Sequence, residues 1–206
     1  MLAHLAGTVA EATAAFDQHD YMQAHQAASR MFWSVYCDRY LEMIKDRLGT
    51  GTGRDSAGRD GAGRDGARWT LWESFRVLLG LFAPFAPFVT ERMYQQFYAA
   101  REGIISVHLT RWPAADERWR GDRAAVEAVD QLAVILDATR ALRSGQRLGN
   151  SARLSKLIVQ AHDAGARSLL DQIAEPLRVA ARADALVLGP AEHPSGVDGI
   201  TVGIAV

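Results

Sequence analysis

Phe32-Trp33-Ser34-Val35-Tyr36-Cys37-Asp38-Arg39-Tyr40-Leu41-Glu42-Met43-Ile44-Lys45-Asp46-Arg47-Leu48 closes residues 21–48, a run that contains neither glycine nor proline. Ala24, Ala28, Met31, Phe32 and Val35 fall within an arc of roughly 100° when each residue advances the chain by 100°, so one long helix is predicted here. A second apolar row, Phe32, Tyr36, Tyr40 and Met43, lies beside the first. A helix with two apolar rows needs more than one neighbour, which is the condition met in a bundle.

Working outward, Leu2, Leu5, Val9, Ala12 and Phe16 recur at steps of three and four and predict an opening helix. Downstream, residues 49–66 hold seven of the eighteen glycines, with Gly-Arg-Asp recurring at positions 53, 58 and 63. No apolar side chain larger than alanine is available there to offset glycine's loss of backbone freedom, so residues 49–68 are expected to form a flexible insert. Trp72, Phe75, Leu79 and Phe82 predict a third helix ended by Pro84, and Pro87 opens a fourth that runs to about Gly103. Residues 104–109 read as extended, and Val126, Val129, Ala133 and Leu136 mark a fifth helix after Asp122. Beyond Gly149, residues 154–160 are strand-like and Ala166, Leu169, Leu170 and Ile173 are helical up to Pro176. Ile200, Val202, Ile204 and Val206 then alternate as a half-buried strand does. The expected fold class is mainly α, a helical bundle over residues 1–146 followed by a small α+β unit over residues 147–206.

Composition narrows the function. With 49% hydrophobic and 23% charged residues and a net charge of -1, the 206-residue chain has an ordinary globular composition. It has no apolar run of the roughly 18 residues needed to span a bilayer and no basic signal region, so a cytoplasmic protein without membrane contact is expected. Cys37, the single cysteine, reads as a small buried hydrophobe. Lys45 and Lys156 are the only lysines, leaving arginine to carry nearly all the positive charge. His4, His19, His25, His108, His162 and His193 show no ligand spacing, and the glycine-rich run lacks a Gly-Lys-Ser/Thr ending. No metal, no cofactor and no catalytic residue is expected, so the chain alone is not read as an enzyme.

One electrostatic feature stands out. Residues 138–162 carry Arg140, Arg143, Arg147, Arg153 and Lys156 and no acidic residue. If the fifth helix extends through them, Arg140, Arg143 and Arg147 share a face that could track a phosphate backbone. Arginines compensating a helix C-terminal dipole is the equally available reading.

The stretch from Phe32 to Leu48 resembles the second-helix motif of the anticodon-binding domain of valyl-tRNA synthetases, a class I aminoacyl-tRNA synthetase family. Leu81-Phe82-Ala83-Pro84-Phe85-Ala86-Pro87-Phe88-Val89-Thr90-Glu91-Arg92-Met93-Tyr94 looks like that family's Ala-Pro-Phe-x-Pro-Phe-x-Thr-Glu block. Ser106-Val107-His108-Leu109-Thr110-Arg111-Trp112-Pro113 is similar to its Ser-Ile/Val-His…Trp-Pro segment. Tyr36-Cys37-Asp38 and Tyr40-Leu41-Glu42 favour the valyl over the isoleucyl branch. The resemblance implies a helical bundle that docks on the anticodon arm of a tRNA, most simply a valine tRNA, with Leu41 and Glu42 at the anticodon bases. A carboxylate such as Glu42 can accept from the exocyclic amine of an unpaired cytosine or adenine, and Lys45 shares its polar face; a plain Glu42 to Lys45 helix pair is the alternative. Trp33 and Trp112 are candidates for base stacking, and Lys45, Arg140, Arg143 and Arg147 for phosphate contact. The resembled full-length enzyme is an ATP-dependent valine–tRNA ligase, whose His-x-Gly-His and Lys-Met-Ser-Lys-Ser signatures this sequence lacks. Nothing before Phe16 matches the family's Asn-x-x-Arg-Phe motif, and Arg39 stands where tryptophan is common. The competing expectation is a relic of the fold that acts as a scaffold, meeting a synthetase catalytic domain or another protein through an exposed bundle face.

Overall fold

A computed structural model describes residues 1–48, 61–121, 123–149 and 152–206. The chain divides into two compact units, Met1–Gly121 and Asp122–Val206.

The first unit opens with α1 (Leu2–Asp17), which buries Leu5, Val9, Ala12 and Ala15. His19 turns the chain at φ 60°, and the Asp20 carboxylate accepts from the Gln23 N–H at 2.9 Å to cap α2 (Tyr21–Arg30). Ala12 and Ala15 on α1 and Ala24 and Ala28 on α2 are buried small side chains that let the two helices approach closely. The predicted long helix does run on to Leu48, but its middle is a π-helix, Met31–Leu41, before α3 (Glu42–Leu48).

Residues 49–60 of the expected flexible insert lie outside the described residues. Its remainder is a correction: α4 (Gly61–Phe82) begins inside it. Ala67 is buried and its carbonyl accepts from the Tyr40 hydroxyl at 3.4 Å, so this segment has a packing partner that its composition did not disclose. As predicted, α4 stops before Pro84 and Pro87 opens α5 (Pro87–Phe97). Tyr98, at φ −120°, interrupts the expected run to Gly103, leaving α6 (Ala99–Glu102) as a separate turn ended by Gly103 at φ +68°. The expected extended piece is instead a 3-10 turn, Val107–Leu109, started by Ser106 Oγ accepting from His108 N–H. Asp116 caps a second 3-10 turn, Glu117–Trp119. One core joins Leu5, Val9, Ala28, Met31, Tyr36, Leu78, Leu81 and Trp119, and a second joins Leu79, Ala83, Tyr94, Tyr98 and Val107.

The second unit starts with α7 (Arg123–Gly145), so the division falls at residues 121–122 where the apolar pattern placed it at 146. Its buried row, Ala128, Leu132, Ile135, Leu136 and Thr139, serves α8 (Ala164–Ala180) and the sheet. Strands β1 (Leu154–Ala161), β2 (Ala183–Leu188), β3 (His193–Pro194) and β4 (Ile200–Ala205) lie in the order β2-β1-β4-β3. The β1 and β2 strands are parallel, joined through α8, and β4 is antiparallel to both β1 and β3. Helix α8 continues past Pro176, because Leu177 extends the buried row Ala166, Leu170 and Ile173 by one more turn. That burial outweighs the one hydrogen bond proline removes. Among the described residues, no helix is long and apolar enough to cross a membrane.

Candidate nucleic-acid interface

The π-helix decides which side chains stand together. An i→i+5 hydrogen-bond pattern gives roughly 4.4 residues per turn in place of 3.6. Buried Met31 and Tyr36, five apart, therefore face the core one above the other. Rings hold this register: Phe32 stacks on Tyr36 at 6.1 Å, Tyr36 on Phe75 at 6.3 Å, and Phe32 meets Phe82 edge-on at 5.8 Å. On an α-helix Trp33 and Glu42, nine residues apart, would point about 180° from each other. With the wider turn, exposed Trp33 stands five residues before Asp38 and its neighbour Ser34 four, and Glu42 follows Asp38 by four, so the exposed residues form one outward stripe.

Trp33 is 63% exposed, its ring set edge-on to that of Phe32 at 4.9 Å, so much of the indole is open to solvent. Leu41 is half-buried, resting on the larger core, and Glu42 opens α3 at the surface. Lys45 belongs to α3, but its side chain lies outside the described residues, so its pairing with Glu42 does too. Cys37 is half-buried; burial, then the neighbouring Asp38 carboxylate, pushes its thiol up from the ordinary value. The stripe thus offers a planar apolar surface beside two carboxylates, which suits stacking on a base and accepting from a base amine. It is not a phosphate cradle. The first unit carries fourteen basic and fourteen acidic side chains, so it supplies no overall attraction for a polyanion.

The other two motif blocks act inward. Thr90 Oγ1 donates to Ala86 O at 2.9 Å, closing the start of α5. Glu91 Oε2 accepts from Ser106 Oγ and from Val107 N–H, both at 2.9 Å, while its Oε1 accepts from Gln95 at 2.6 Å. Burial pushes the Glu91 carboxyl up, but these three hydrogen bonds, with His108 nearby, together hold it below its ordinary value. The Thr-Glu and Ser-Val-His blocks are therefore two halves of one clamp. Trp112 stays 36% exposed but is anchored: its indole N–H donates to Thr13 Oγ1 at 2.9 Å and its ring abuts Phe16 edge-on at 4.9 Å. Pro113 presses on Gly80, where an added Cβ would lie 2.7 Å from the proline ring.

The expected arginine face on α7 is also corrected. Arg143 is only 4% exposed and its Nη2 donates to Ala181 O, turned into the second unit. Arg140 is paired with Asp137 at 3.0 Å, and Arg147 lies beyond the end of the helix at φ 57°. The three do not form one outward row. Ser34, Asp38 and Glu42 share a face on an α-helical wheel as well; what sequence reading missed is that Trp33 joins them, because the wheel sets Trp33 opposite Glu42.

Residues 1–158 match the family described as the anticodon-binding domain of tRNA ligase. The chain is 37% identical to the valine–tRNA ligase of Thermobifida fusca over 185 residues, covering 87% of this chain and 19% of that protein. It is 32% identical to that of Haloarcula marismortui over 180 residues, 87% of this chain and 18% of that one. With the Cutibacterium acnes valine–tRNA ligase, identity is 45% over 117 residues, 57% of this chain and 12% of that one. The chain thus spans about a fifth of the length of the curated relatives it matches most fully. With the helical bundle, the three motif blocks and the match over residues 1–158 in agreement, the chain belongs to the anticodon-binding domain family of tRNA ligases.

Proposed function

We propose that this chain binds the anticodon arm of a tRNA, a valine tRNA by its relatives, as the tRNA-contacting part of a valine–tRNA ligase-like protein. The observation that carries the reading is the π-helical stripe, which puts exposed Trp33 on the same side as Glu42. In this reading Trp33 stacks on an unpaired base, Glu42 accepts from a base amine, and half-buried Leu41 packs against the base that Glu42 holds. The chain itself performs no chemistry; amino-acid activation belongs to the remainder of such a ligase.

Alanine variants at the two positions test this. Stacking on an aromatic contributes about 1–3 kcal/mol per base, so Trp33→Ala should weaken tRNA binding roughly 5- to 150-fold. Glu42→Ala should lose affinity for the cognate anticodon while leaving binding to a tRNA of different anticodon unchanged. Equal behaviour of both variants and the unaltered chain on every tRNA would overturn the assignment.

A second reading, protein docking, draws on a different surface. Phe88 is 90% exposed, and Ile105 and Leu109 are exposed beside the 3-10 turn that packs on α5. Such side chains suit a protein partner, for instance the body of a ligase. Phe88→Ser with Leu109→Ser should leave tRNA affinity intact and abolish that docking.

A further inference from the structure

An eleven-residue π-helix is not a conformation the backbone selects by itself, because i→i+5 bonding is rare and mostly confined to single turns. Its register must come from side chains, and two buried residues identify them. Met31 and Tyr36 are 2% and 6% exposed. Five residues turn an α-helix through about 500°, so in that register the two would stand about 140° apart and one would leave the core. At roughly 4.4 residues per turn the same five residues turn about 410°, which leaves the two about 50° apart. Joint burial of Met31 and Tyr36 therefore separates the π register from the α register. The ring that Tyr36 meets on α4 is Phe75, stacked at 6.3 Å with 22° between the planes.

Phe75 is itself fixed from behind. It packs against both cores of the first unit, and Tyr98 lies against it at 6.4 Å. Tyr98 is buried, and its hydroxyl donates to Trp72 O at 2.8 Å. Tyr98, Phe75 and Tyr36 thus make one row of rings that runs from the end of α5, across α4, to the inner side of the π-helix. The exposed stripe with Trp33 and Glu42 lies on the outer side of that helix.

We propose that Phe75 is a positioning residue for anticodon discrimination: through Tyr36 it holds residues 31–41 in the register that puts Trp33 and Glu42 on one face. Phe75 touches no base. Without its ring the segment relaxes toward α-helical bonding, Tyr36 swings off α4, and Trp33 turns about 180° from Glu42. A base stacked on Trp33 then no longer stands beside the base that Glu42 holds. The role rests on the anticodon reading above and adds the residue that assembles its site.

The test measures the ratio of affinities for valine tRNA and for the same tRNA with its anticodon bases replaced. It compares the unaltered chain with Phe75→Leu, Tyr36→Leu, Tyr36→Phe and Leu79→Ala. An aromatic pair is worth a factor of about 2 to 13, so Phe75→Leu and Tyr36→Leu should each lower the ratio by about that factor. Because both remove one contact, the double variant should lower it no further than either alone. Tyr36→Phe keeps the ring and should keep the ratio. Leu79 lies one turn from Phe75 on α4 but belongs to the second core, so Leu79→Ala should weaken the fold and leave the ratio unchanged. Tryptophan fluorescence in urea establishes that each variant is folded and by how much it is weakened. An unchanged ratio in the two folded leucine variants, while the unaltered chain discriminates, would overturn the positioning role and leave the anticodon reading standing. An equal fall in Leu79→Ala would also overturn it, since the ratio would then follow stability alone. Equal affinity of the unaltered chain for both tRNAs would overturn the positioning role and the anticodon reading together.

Discussion

Replacing Glu91 with alanine should cost the first unit about 2 kcal/mol, because two segments would lose the carboxylate that joins them. Glu91 takes two hydrogen bonds at 2.9 Å, one from the backbone N–H of Val107, whose residue is buried. Hydrogen bonds to a charged group contribute about 1.5–3 kcal/mol, and a stranded buried N–H costs about 1–3 kcal/mol; partial exposure of the carboxylate pulls the total to the lower end. All five tryptophans, at 33, 69, 72, 112 and 119, belong to the first unit, so their fluorescence reports its unfolding alone. With a urea slope of about 2 kcal/mol/M, the midpoint should fall by about 1 M. Because the folded carboxyl titrates below its ordinary value, its stabilisation is present above the unfolded pKa of about 4.3 and is lost as pH falls through the folded one. The difference between Glu91→Ala and the unaltered chain should accordingly shrink on acidification. A midpoint shift under about 0.25 M at pH 7, or one that grows as pH drops, would refute the clamp.

Further outcomes follow from packing and burial. Gly80→Ala should destabilise the first unit by about 1 kcal/mol despite alanine's helix propensity, since overpacking against Pro113 costs about 1–3 kcal/mol; a rise in the urea midpoint would contradict that contact. Burial, then the Glu102 carboxylate, pushes the Tyr94 phenol up to about 12, and burial also holds Tyr36 and Tyr98 well above the usual range. Raised folded values mean stability is complete below the unfolded pKa of about 10 and is lost as pH rises through the folded ones. In the native chain these three of the five tyrosines should stay protonated near pH 11 by tyrosinate absorbance; five ionising together near pH 10 would count against it.

Much of the architecture was legible where a single period governs burial. Leu5, Val9 and Ala12 on α1 and Ile200 and Val202 on β4 are buried as their spacing predicted. The π-helix was not legible, because nothing local distinguishes i→i+5 from i→i+4 bonding; the rings of Phe75 and Phe82, brought in from α4, hold that register. Arg143 was misread for a similar reason. Its burial depends on the Ala181 carbonyl, 38 residues away, while its charge alone implied the surface. The Gly-Arg-Asp insert looked uniform, yet Ala67 found a partner in Tyr40. Within the candidate interface, Trp33 and Glu42 could be named individually, but on an α-helical wheel they oppose each other, and their common face became visible only with the backbone.

The measurement that bears most directly on the central claim is a binding titration of the chain against valine tRNA and against the same tRNA with its anticodon bases replaced. Base-edge contacts discriminate by about 1–3 kcal/mol each, so the altered anticodon should bind roughly 5- to 150-fold more weakly, and the difference should vanish in Trp33→Ala/Glu42→Ala. Equal affinity for the two tRNAs in the unaltered chain would contradict the account.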